Sequence, residues 1–469
     1  MSKLLFSHSY YYRLDPKQWN TGMPYPPLGT IYAASYMRSL GHEVALYDVG
    51  LEKNSIGIND HFQAELPDYL VIYDDGFNYL TKMCLTNMRE QCFKMIKYTK
   101  QYKGVKIIVS SSDSTDHYEK YLSAGADIVL LGEGELSLAE TISALNKGDD
   151  LNNVLGIAFR QNGEVKVNSR RPVIRELDDL PNPAWDLIDI DPYKEKWRQH
   201  GHDFAINVAT TRGCPYKCNW CAKPIYGNRY NSRSPKRVIE EIKWLSENFN
   251  VRKLWMCDDI FGLKPNWVQE FRDELKNIGL TIQYKIQSRA DLLLKEDNID
   301  ALVASGLYEV WIGAESGSQN ILDAMDKGTT LDQIKKSTEL LQRKGVRVAY
   351  FLQFGYLGET KEDVQKTIEM LLENMPDDIG VSVSYPLPGT PFYDKVKSQL
   401  SQKANWKDSD DLALMFQNTF NQKYYKALHR FIHKKFRSKQ SGLLKKLAYI
   451  PFIIYYKMKM KLHSNLSHG

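Results

Sequence analysis

The chain has 469 residues, of which 43% are hydrophobic and 25% charged, and it carries a formal net charge of +5 at pH 7. This length exceeds what one hydrophobic core usually organises, and the composition is that of a globular protein rather than a disordered or fibrous one. The first residues lack the apolar run of a signal peptide, and no stretch reaches the roughly 20 apolar residues of a membrane-spanning helix. We therefore expect a cytoplasmic protein of two or three domains.

The first part of the chain alternates short apolar strands with helical segments. The pattern predicts strands at 4–7, 43–48, 69–73, 105–109 and 127–131, with helices at 29–40, 81–100 and 116–123. A last helix opens after Gly132-Glu133-Gly134-Glu135. This alternation is typical of a Rossmann-like, doubly wound parallel sheet, which we assign to residues 1–150. Ligands of such sheets lie at the carboxyl ends of the strands.

A connector is predicted at residues 151–199. It begins with a β-hairpin whose turn is Asn162-Gly163, a pair that favours tight hairpin turns. The stretch from Arg170 to Pro192 is rich in proline and acidic residues and lacks helical periodicity, which indicates an ordered linker. We expect the domain boundary in this linker.

A second alternating system occupies residues 200–411. It predicts six strands, at 206–209, 253–257, 282–287, 309–314, 347–353 and 379–384. The helix that opens with Pro235 carries apolar residues on one face: Val238, Ile239, Ile242 and Leu245. Six strand–helix units predict a partial (β/α)6 barrel with its chemistry at the carboxyl ends of the strands.

The C-terminal region, residues 412–469, is strongly basic. It contains twelve Lys and Arg residues and no acidic residue, so the rest of the chain is net acidic. Residues 424–437 predict a basic amphipathic helix, and residues 443–462 add aromatic residues and lysines. We expect a mostly helical tail, and three roles are open to it. Closing the barrel ranks first, contact with a membrane surface second, and contact with nucleic acid last.

Three of the six cysteines lie within eight residues, at Cys214, Cys218 and Cys221. Thiolates are the usual ligands of iron–sulfur clusters, and three of them leave one iron of a [4Fe–4S] cluster open to a small molecule. A structural zinc site is the alternative, although the paired hooks typical of zinc are absent. The scattered cysteines, Cys84, Cys92 and Cys257, are expected to be inert buried thiols.

Several segments around this triplet resemble the radical S-adenosylmethionine (SAM) superfamily. They are the Cys-x3-Cys-x2-Cys loop with Trp220 before its last cysteine, Asp258-Asp259-Ile260-Phe261, Gly313-Ala314-Glu315-Ser316-Gly317, Met325-Asp326-Lys327-Gly328-Thr329 and Gly355-Tyr356-Leu357-Gly358-Glu359-Thr360. The resemblance covers residues 200–400. It implies a cluster held by the three cysteines that cleaves SAM to a 5′-deoxyadenosyl radical.

The same resemblance implies roles in cofactor binding for seven further residues. Trp220 would pack near the SAM adenine or simply be a core aromatic. Glu315 would accept hydrogen bonds from SAM or cap a helix. Gly355 and Gly358 would let the backbone approach the cofactor, form tight turns, or both. Asp258 and Asp259 would face the cavity or cap the turn at Phe261, and Arg289 would neutralise the SAM carboxylate or form a surface salt bridge.

The order of a Rossmann-like domain and a radical SAM barrel resembles the cobalamin-binding radical SAM proteins. That group includes class B methyltransferases and the anaerobic magnesium-protoporphyrin ester cyclase. The matching segments are Tyr25-Pro26-Pro27-Leu28-Gly29, Gly132-Glu133-Gly134-Glu135 and the linker from Leu177 to Asp186. The resemblance implies that cobalamin lies near Pro27, Gly29, Ser112, Gly132 and Gly134.

Two departures bear on cobalamin. The chain has no Asp-x-His-x-x-Gly motif, which supplies a histidine to cobalt in other cobalamin proteins. The loop from Ser110 to Thr115 also lacks the glycines and histidine that the family often carries there. A degenerate domain kept for packing or for substrate binding is therefore an alternative to cobalamin binding.

The expected function is methyl transfer from cobalamin to an unactivated carbon by a radical SAM enzyme. A radical cyclase or oxidative enzyme, and a radical SAM enzyme with a degenerate cobalamin domain, are the alternatives. The expected partners are a small-molecule or lipid-like substrate and an electron donor such as flavodoxin or ferredoxin. The added RNA-binding domain and second cluster of a transfer-RNA methylthiolase are not visible, which argues against nucleic acid.

Overall fold

The computed structural model describes residues 1–83, 85–221, 223, 225–400 and 405–464, so Cys84 lies outside the described residues. The chain forms two compact units, each made of several segments. The first unit comprises Met1–Pro215, Lys223–Asp259 and Asn405–Asp411, and the second comprises Tyr216–Ala222, Ile260–Ala404 and Leu412–Gly469. The finer division of the chain after residues 150, 199 and 411 stays a prediction.

A seven-stranded sheet forms the core of the first unit. Its strands are β1 (Lys3–Ser7), β2 (Glu43–Tyr47), β3 (Tyr69–Tyr73), β4 (Lys106–Ser110), β5 (Ile128–Leu130), β6 (Ile157–Gln161) and β7 (Glu164–Val167), in the order β2-β1-β3-β4-β5-β6-β7. The pairings among β1 to β5 are parallel, as predicted. The strand order reverses beside β1, which is where such sheets bind ligands at their carboxyl ends.

The predicted hairpin is present, but it extends this sheet. Asn162 and Gly163 both have positive φ, as a tight hairpin turn requires. β6 then pairs antiparallel with β5. Ile157, Ala158 and Phe159 are buried in this arrangement, which explains why the hairpin adds to the core rather than standing apart as a connector.

Helices cover both faces of the sheet. The helices of the first unit are α1 (Pro16–Thr21), α2 (Leu28–Ser39), α3 (Ile58–Glu65), α4 (Tyr79–Lys82), α5 (Thr86–Thr99), α6 (Ser112–Asp116), α7 (Tyr118–Ala124), α8 (Glu135–Lys147), α9 (Asp191–Gln199) and α10 (Pro235–Phe249). Alternate residues of β1 enter different hydrophobic clusters, Leu5 on one face and Leu4 with Phe6 on the other. This alternation is the signature of a doubly wound sheet.

Two pairs of short strands complete the first unit. They are the parallel pair β8 (Ile206–Val208) and β11 (Lys253–Met256), and the antiparallel pair β9 (Thr211–Arg212) and β10 (Asn231–Ser232). The side chain of Ser234 caps α10 and Pro235 occupies its first turn. The predicted apolar face of α10 is buried, which confirms that prediction.

The second unit contains four parallel strands in the order β15-β14-β13-β12: β12 (Gln283–Ser288), β13 (Leu307–Glu315), β14 (Arg347–Phe354) and β15 (Asp378–Val383). Its helices are α11 (Trp267–Asn277), α12 (Glu296–Ala304), α13 (Gln319–Ala324), α14 (Leu331–Arg343), α15 (Lys361–Asn374), α16 (Pro391–Val396), α17 (Gln422–Gln440) and α18 (Leu443–His463). Each of the six strands predicted for residues 200–411 is therefore found close to its predicted bounds.

The basic tail forms two helices. α17 buries an apolar face that includes Leu428, Phe431, Ile432 and Phe436, and it packs against β15 and α15. Arg437 of α17 donates to Asp378 at the start of β15, with a distance of 2.6 Å between Nη2 and Oδ1. α17 thus covers the edge strand β15, as expected of a helix that closes the sheet. Among the described residues, no helix has the length and apolarity needed to cross a bilayer.

Candidate functional site

The cysteine loop follows β8 and the first strand of the β9–β10 pair. Gly213, directly before Cys214, has a φ of +81°. A Cβ at this position would lie 2.4 Å from the carbonyl oxygen of Arg229, so only glycine fits the turn. The side chains of Cys214, Cys218 and Cys221 are partly exposed, whereas Cys92 and Cys257 are buried. Part-exposure suits thiols that bind a metal cluster, and burial agrees with the inert role expected of Cys92 and Cys257.

The thiols are not already gathered as a metal site. Among the described residues, no group of three His, Cys, Asp or Glu side chains is arranged to hold a metal ion. The role of the three cysteines as ligands stays a prediction that rests on their spacing.

Asn219 fixes the segment between Cys218 and Cys221. Its buried side-chain amide donates to Ala324 O at 2.7 Å and to Asp326 Oδ2 at 2.9 Å. The amide oxygen accepts a 2.8 Å hydrogen bond from the hydroxyl of Tyr356. The backbone of Asn219 also donates to Met325 O and accepts from Phe392 N. Asn219 therefore ties the two cysteines to the turn after α13 and to the loop after β14.

A buried ion pair lies at the end of β13. Glu315 has a φ of +55° at a register shift in the strand, and its Oε1 accepts a 2.8 Å hydrogen bond from Lys327 Nζ. A Cβ on Gly313 would lie 2.6 Å from Nζ and 2.8 Å from Oε1, so the glycine makes room for the pair. Burial lowers the pKa of Lys327, but Glu315 and Cys218 raise it further, and the net shift is upward. Lys327 is thus a fixed positive charge near Cys218.

Arg289 is buried and supports the same region. Its guanidinium donates to the carbonyl oxygens of Lys327 at 2.7 Å and Gly328 at 3.1 Å. It also lies over the ring of Tyr216, 3.8 Å from the ring centroid, and bonds to Asp291. The salt bridge considered for Arg289 is present, to Asp291 at 3.0 Å, but it does not lie at the surface, because the Arg289 side chain is only 8% exposed and holds the turn that carries Lys327.

Trp220 and the glycine loop after β14 have packing roles in this structure. Trp220 packs against a cluster that includes Tyr356 and Phe392, and its buried Nε1 has no partner among the described residues. Gly355 and Gly358 both have positive φ, which agrees with tight turns. Glu359 is fully buried, accepts a 2.7 Å hydrogen bond from Gly355 N, and has its pKa raised by burial to about 8. Contacts of Trp220, Gly355 and Gly358 with SAM stay a prediction.

Asp258 and Asp259 follow β11 and differ from each other in burial and in partners. Asp258 is buried and accepts hydrogen bonds from the backbone of Thr210 at 2.7 Å and of Thr211 at 2.8 Å. Burial raises its pKa to about 6. Asp258 therefore anchors the chain just before the cysteine loop rather than the turn at Phe261. Asp259 is more exposed and accepts from Lys82 Nζ at 2.6 Å.

A second buried ion cluster ties the Gly132-Glu133-Gly134-Glu135 loop to β9. Arg212 donates to Glu133 at 2.5 Å and forms an ion pair with Glu135 at 2.8 Å, and all three side chains are at most 4% exposed. The rings of Tyr32, Phe77 and Tyr226 surround the guanidinium at 5.3 to 5.6 Å. Burial raises the pKa of Glu133, and Arg212 opposes that shift. The loop predicted to border cobalamin thus holds the strand that leads to Cys214.

The other residues predicted to border cobalamin lie at the carboxyl edge of the first sheet. Pro27 precedes α2, where Gly29 N donates to Asp75 and a Cβ would lie 3.0 Å from the backbone of Asp75 and Gly76. Ser112 begins α6 after β4, within a run of buried polar residues. Gly132 N donates to Thr115, and Gly134 N donates to Tyr73. The prediction of their shared position is consistent with these contacts, and their binding of cobalamin stays a prediction.

Sequence reasoning missed four residues that organise the site. Lys327 lies in the segment Met325–Thr329 and Glu133 lies in the segment Gly132–Glu135. Both segments resemble the family, but the position of these two residues within them did not predict a role. Asn219 and Arg212 flank cysteines of the loop, and their partners lie 107 and 79 residues away. The local sequence gives no signal for such pairings.

Comparison with known proteins identifies the barrel region. Residues 208–371 match the family model described as the Radical SAM superfamily. The chain is 28% identical over 441 residues to an uncharacterized methyltransferase of Pyrococcus horikoshii, covering 93% of this chain and 89% of that protein. It is 25% identical over 374 residues to the anaerobic magnesium-protoporphyrin IX monomethyl ester cyclase of Synechocystis, covering 78% of this chain and 72% of that protein. It is 23% identical over 391 residues to the hopanoid C-3 methylase of Methylococcus capsulatus, covering 80% of this chain and 70% of that protein.

Two solved structures share the fold. The cobalamin-dependent SAM radical enzyme OxsB, solved with aqua-cobalamin, superposes with a TM-score of 0.75 at 19% identity and covers 98% of this chain and 72% of its own. The radical SAM methyltransferase TsrM from Kitasatospora setae, solved with cobalamin and a [4Fe–4S] cluster, gives a TM-score of 0.71 at 17% identity, with coverages of 85% and 75%. These likenesses confirm the predicted fold class.

Proposed function

From the radical SAM domain that this chain contains at residues 208–371, we propose that the protein is a cobalamin-dependent radical SAM methyltransferase acting on an unactivated carbon. The observation that carries the proposal is the match of the domain around Cys214, Cys218 and Cys221. The similarity to a methyltransferase across 93% of this chain supports the whole-chain assignment. When bound, a [4Fe–4S] cluster, SAM and cobalamin would supply the electron, the 5′-deoxyadenosyl radical and the methyl group.

The residues of the cysteine loop fit an iron–sulfur cluster. Three thiols, two of them held in place by Asn219, match the donor chemistry of a cluster with one open iron. The ammonium group of Lys327 would balance part of the negative charge that thiolate ligands bring. The chain thus contributes ligands, a fixed loop and a counter-charge.

Glu315 and Arg289 fit the binding of a zwitterion such as SAM. Glu315 offers a carboxylate whose second oxygen can accept a hydrogen bond from an ammonium or a ribose hydroxyl. Arg289 and Lys327 supply positive charge for a carboxylate. Trp220, Gly355 and Gly358 would complete this part of the site by packing and by shaping the loops. Asp258 and Asp259 would shape the loop after β11, where Asp258 holds the chain before Cys214.

The carboxyl edge of the first sheet fits a large planar cofactor. Gly29 and Gly134 approach neighbouring backbone and side chains closely, and Gly132 N donates to Thr115. Together with Pro27 and Ser112 they would border cobalamin. These residues would hold and orient the cofactor and exclude water from it.

The alternative reactions keep the same radical chemistry. The similarity to the magnesium-protoporphyrin ester cyclase favours a radical cyclase or oxidative enzyme as the second candidate. A radical SAM enzyme with a degenerate cobalamin domain is the third. The partners we propose are a small-molecule or lipid-like substrate, an electron donor such as flavodoxin or ferredoxin, and, for the basic tail, a membrane surface. The proposed location is the cytoplasm.

Anaerobic purification with iron reconstitution tests the proposal. We expect about four irons per chain, SAM cleavage to 5′-deoxyadenosine under dithionite, and a cobalamin absorption spectrum. Cys218→Ala should lose the iron and the SAM cleavage, whereas Cys92→Ala, at a buried cysteine outside the loop, should keep both. Stoichiometric zinc without SAM cleavage would refute the proposal. Iron and SAM cleavage without any uptake of hydroxocobalamin would support the degenerate-domain alternative.

A further inference from the structure

The last helix of the second unit presents an uncovered apolar face. Among the described residues of α18 none is buried. Tyr449, Ile453, Tyr456 and Met460 are half-buried, which marks the face that meets α17. Leu443, Leu447, Ile454, Met458 and Leu462 are exposed by 51% to 74%. An exposed apolar stripe of this length indicates an interaction site.

The helical period places this stripe opposite α17. Successive residues of an α-helix are about 100° apart, so residues 443, 447, 454 and 458 share one side within about 60° of each other. Residues 449, 453, 456 and 460 cluster on the opposite side by the same count. α17 and α18 run antiparallel, since Lys434 lies over the ring of Tyr449 near the connection and Asn421 donates to His463 O at the far end. The outward stripe therefore runs along the whole helix.

Lysines lie on both sides of the stripe and within it. By the same helical count, Lys446 and Lys457 lie on one flank and Lys459 lies on the other, whereas Lys445 lies toward the side that meets α17. Lys461 lies within the stripe, on the same side of the helix as Leu443. Residues 412–469 contain no acidic side chain that could neutralise these charges. Long lysine side chains can extend from an apolar surface toward charged groups around it.

We propose that Leu443–His463 docks the protein on a bilayer surface that contains anionic lipids, with the helix lying in the plane of the headgroups. The apolar stripe would enter the boundary between headgroups and acyl chains, and the lysines on its flanks would meet the headgroup phosphates. A second copy of this chain fits the helix poorly, because a two-fold contact between stripes would bring the lysines on and beside the two stripes together. This inference goes beyond the proposed reaction and can fail without affecting it.

Vesicle flotation of the full-length protein tests the inference. We expect the protein to float with vesicles that contain phosphatidylglycerol, and to bind them about tenfold or more tightly than vesicles of phosphatidylcholine alone. Raised salt should weaken the binding, because exposed charges are screened over about 10 Å at 0.1 M. Absence of flotation with phosphatidylglycerol vesicles at low salt would overturn the inference.

Variants of the stripe separate membrane docking from other occupants. Leu447→Glu combined with Ile454→Glu should abolish flotation, while Ile56→Glu, at an exposed apolar residue of the first unit, should leave it unchanged. Replacing Lys446, Lys457 and Lys459 by Gln should remove the preference for anionic lipid. Circular dichroism and SAM cleavage should be the same in all these variants. Flotation that survives the double substitution, or a dimer in light scattering that the double substitution dissociates, would overturn the proposal in favour of another site or of self-association.

Discussion

Single buried polar residues determine how the cysteine loop is held. Asn219 makes three side-chain hydrogen bonds at 2.7 to 2.9 Å, and all its partners belong to two segments of the second unit. Replacing this amide removes three hydrogen bonds, although the exposed carboxylate of Asp326 can bond to water and Tyr356 keeps its hydrogen bond to Ala324 O. The spacing of the cysteines alone does not provide this restraint.

Asn219→Ala should loosen the loop and lower stability. We expect the unfolding free energy to fall by about 1–2 kcal/mol, since the side-chain hydrogen bonds are lost but leave no buried group without a partner. Iron content after reconstitution should fall more than it does in Asn248→Ala, whose amide caps only a local carbonyl on the surface of α10. Urea unfolding and iron analysis would measure both effects. Equal iron contents in the two variants would contradict the role of Asn219.

Glu359 gives the protein a stability that depends on pH. Burial raises its pKa from 4.5 to about 8, so the folded state favours the protonated carboxyl. A raised carboxyl pKa contributes stability that is complete below pH 4.5 and is lost as the pH rises through 8. Glu359→Gln keeps the shape of the side chain and removes the group that titrates.

The unfolding free energy of the wild type should therefore fall relative to that of Glu359→Gln between pH 5 and pH 8. The difference should approach about 1.4 kcal/mol per pH unit. Chemical unfolding of both proteins at a series of pH values within this window measures the difference. Parallel pH profiles would show that Glu359 does not titrate as its burial implies.

At the scale of elements, the Arg212 cluster joins the loop after β5 to β9. Two buried glutamates are compensated by one guanidinium, and the strand that carries it leads directly to Gly213 and Cys214. Breaking a buried ion cluster leaves uncompensated charge, which costs far more than removing the whole cluster.

Arg212→Gln should consequently destabilise the protein by about 3–5 kcal/mol. Combining Arg212→Met with Glu133→Gln and Glu135→Gln should recover most of that loss, because no buried charge remains. Thermal unfolding of the two variants and the wild type decides the point. A triple variant less stable than Arg212→Gln would mean that packing, not charge, dominates at this site.

The elements themselves could be read from the sequence, but their side-chain connections could not. β3 begins and ends where its apolar run predicts, because a strand buried on both faces is continuously apolar. The predicted helix at 81–100 is instead α4 and α5, and the hairpin joins the first sheet. Arg212 with Glu133, or Asn219 with Asp326, involves residues far apart in sequence, so only the folded backbone brings them together.

For the whole molecule, the two tail helices differ in what they contribute to the fold. α17 buries seven apolar side chains, and its Arg437 and Gln440 bond to the start of β15 and the residues before it. α18 buries none of its described side chains and touches α17 along one half-buried face. The amino-acid pattern of both is basic and apolar, which is why the sequence did not distinguish a closing helix from a docking helix.

Truncation should separate the two roles. A chain that ends at Ser441 should keep its thermal unfolding temperature within a few degrees, because only partly buried contacts on α17 are lost. A chain that ends before Gln422 should not fold, since seven apolar side chains at roughly 1.5–3 kcal/mol each contribute as much as the typical stability of a whole domain, about 5–15 kcal/mol. Circular dichroism melts compare the two truncations. Cooperative melting of the shorter chain would mean that α17 is an accessory to the barrel, and unfolding of the longer one would mean that α18 belongs to the core.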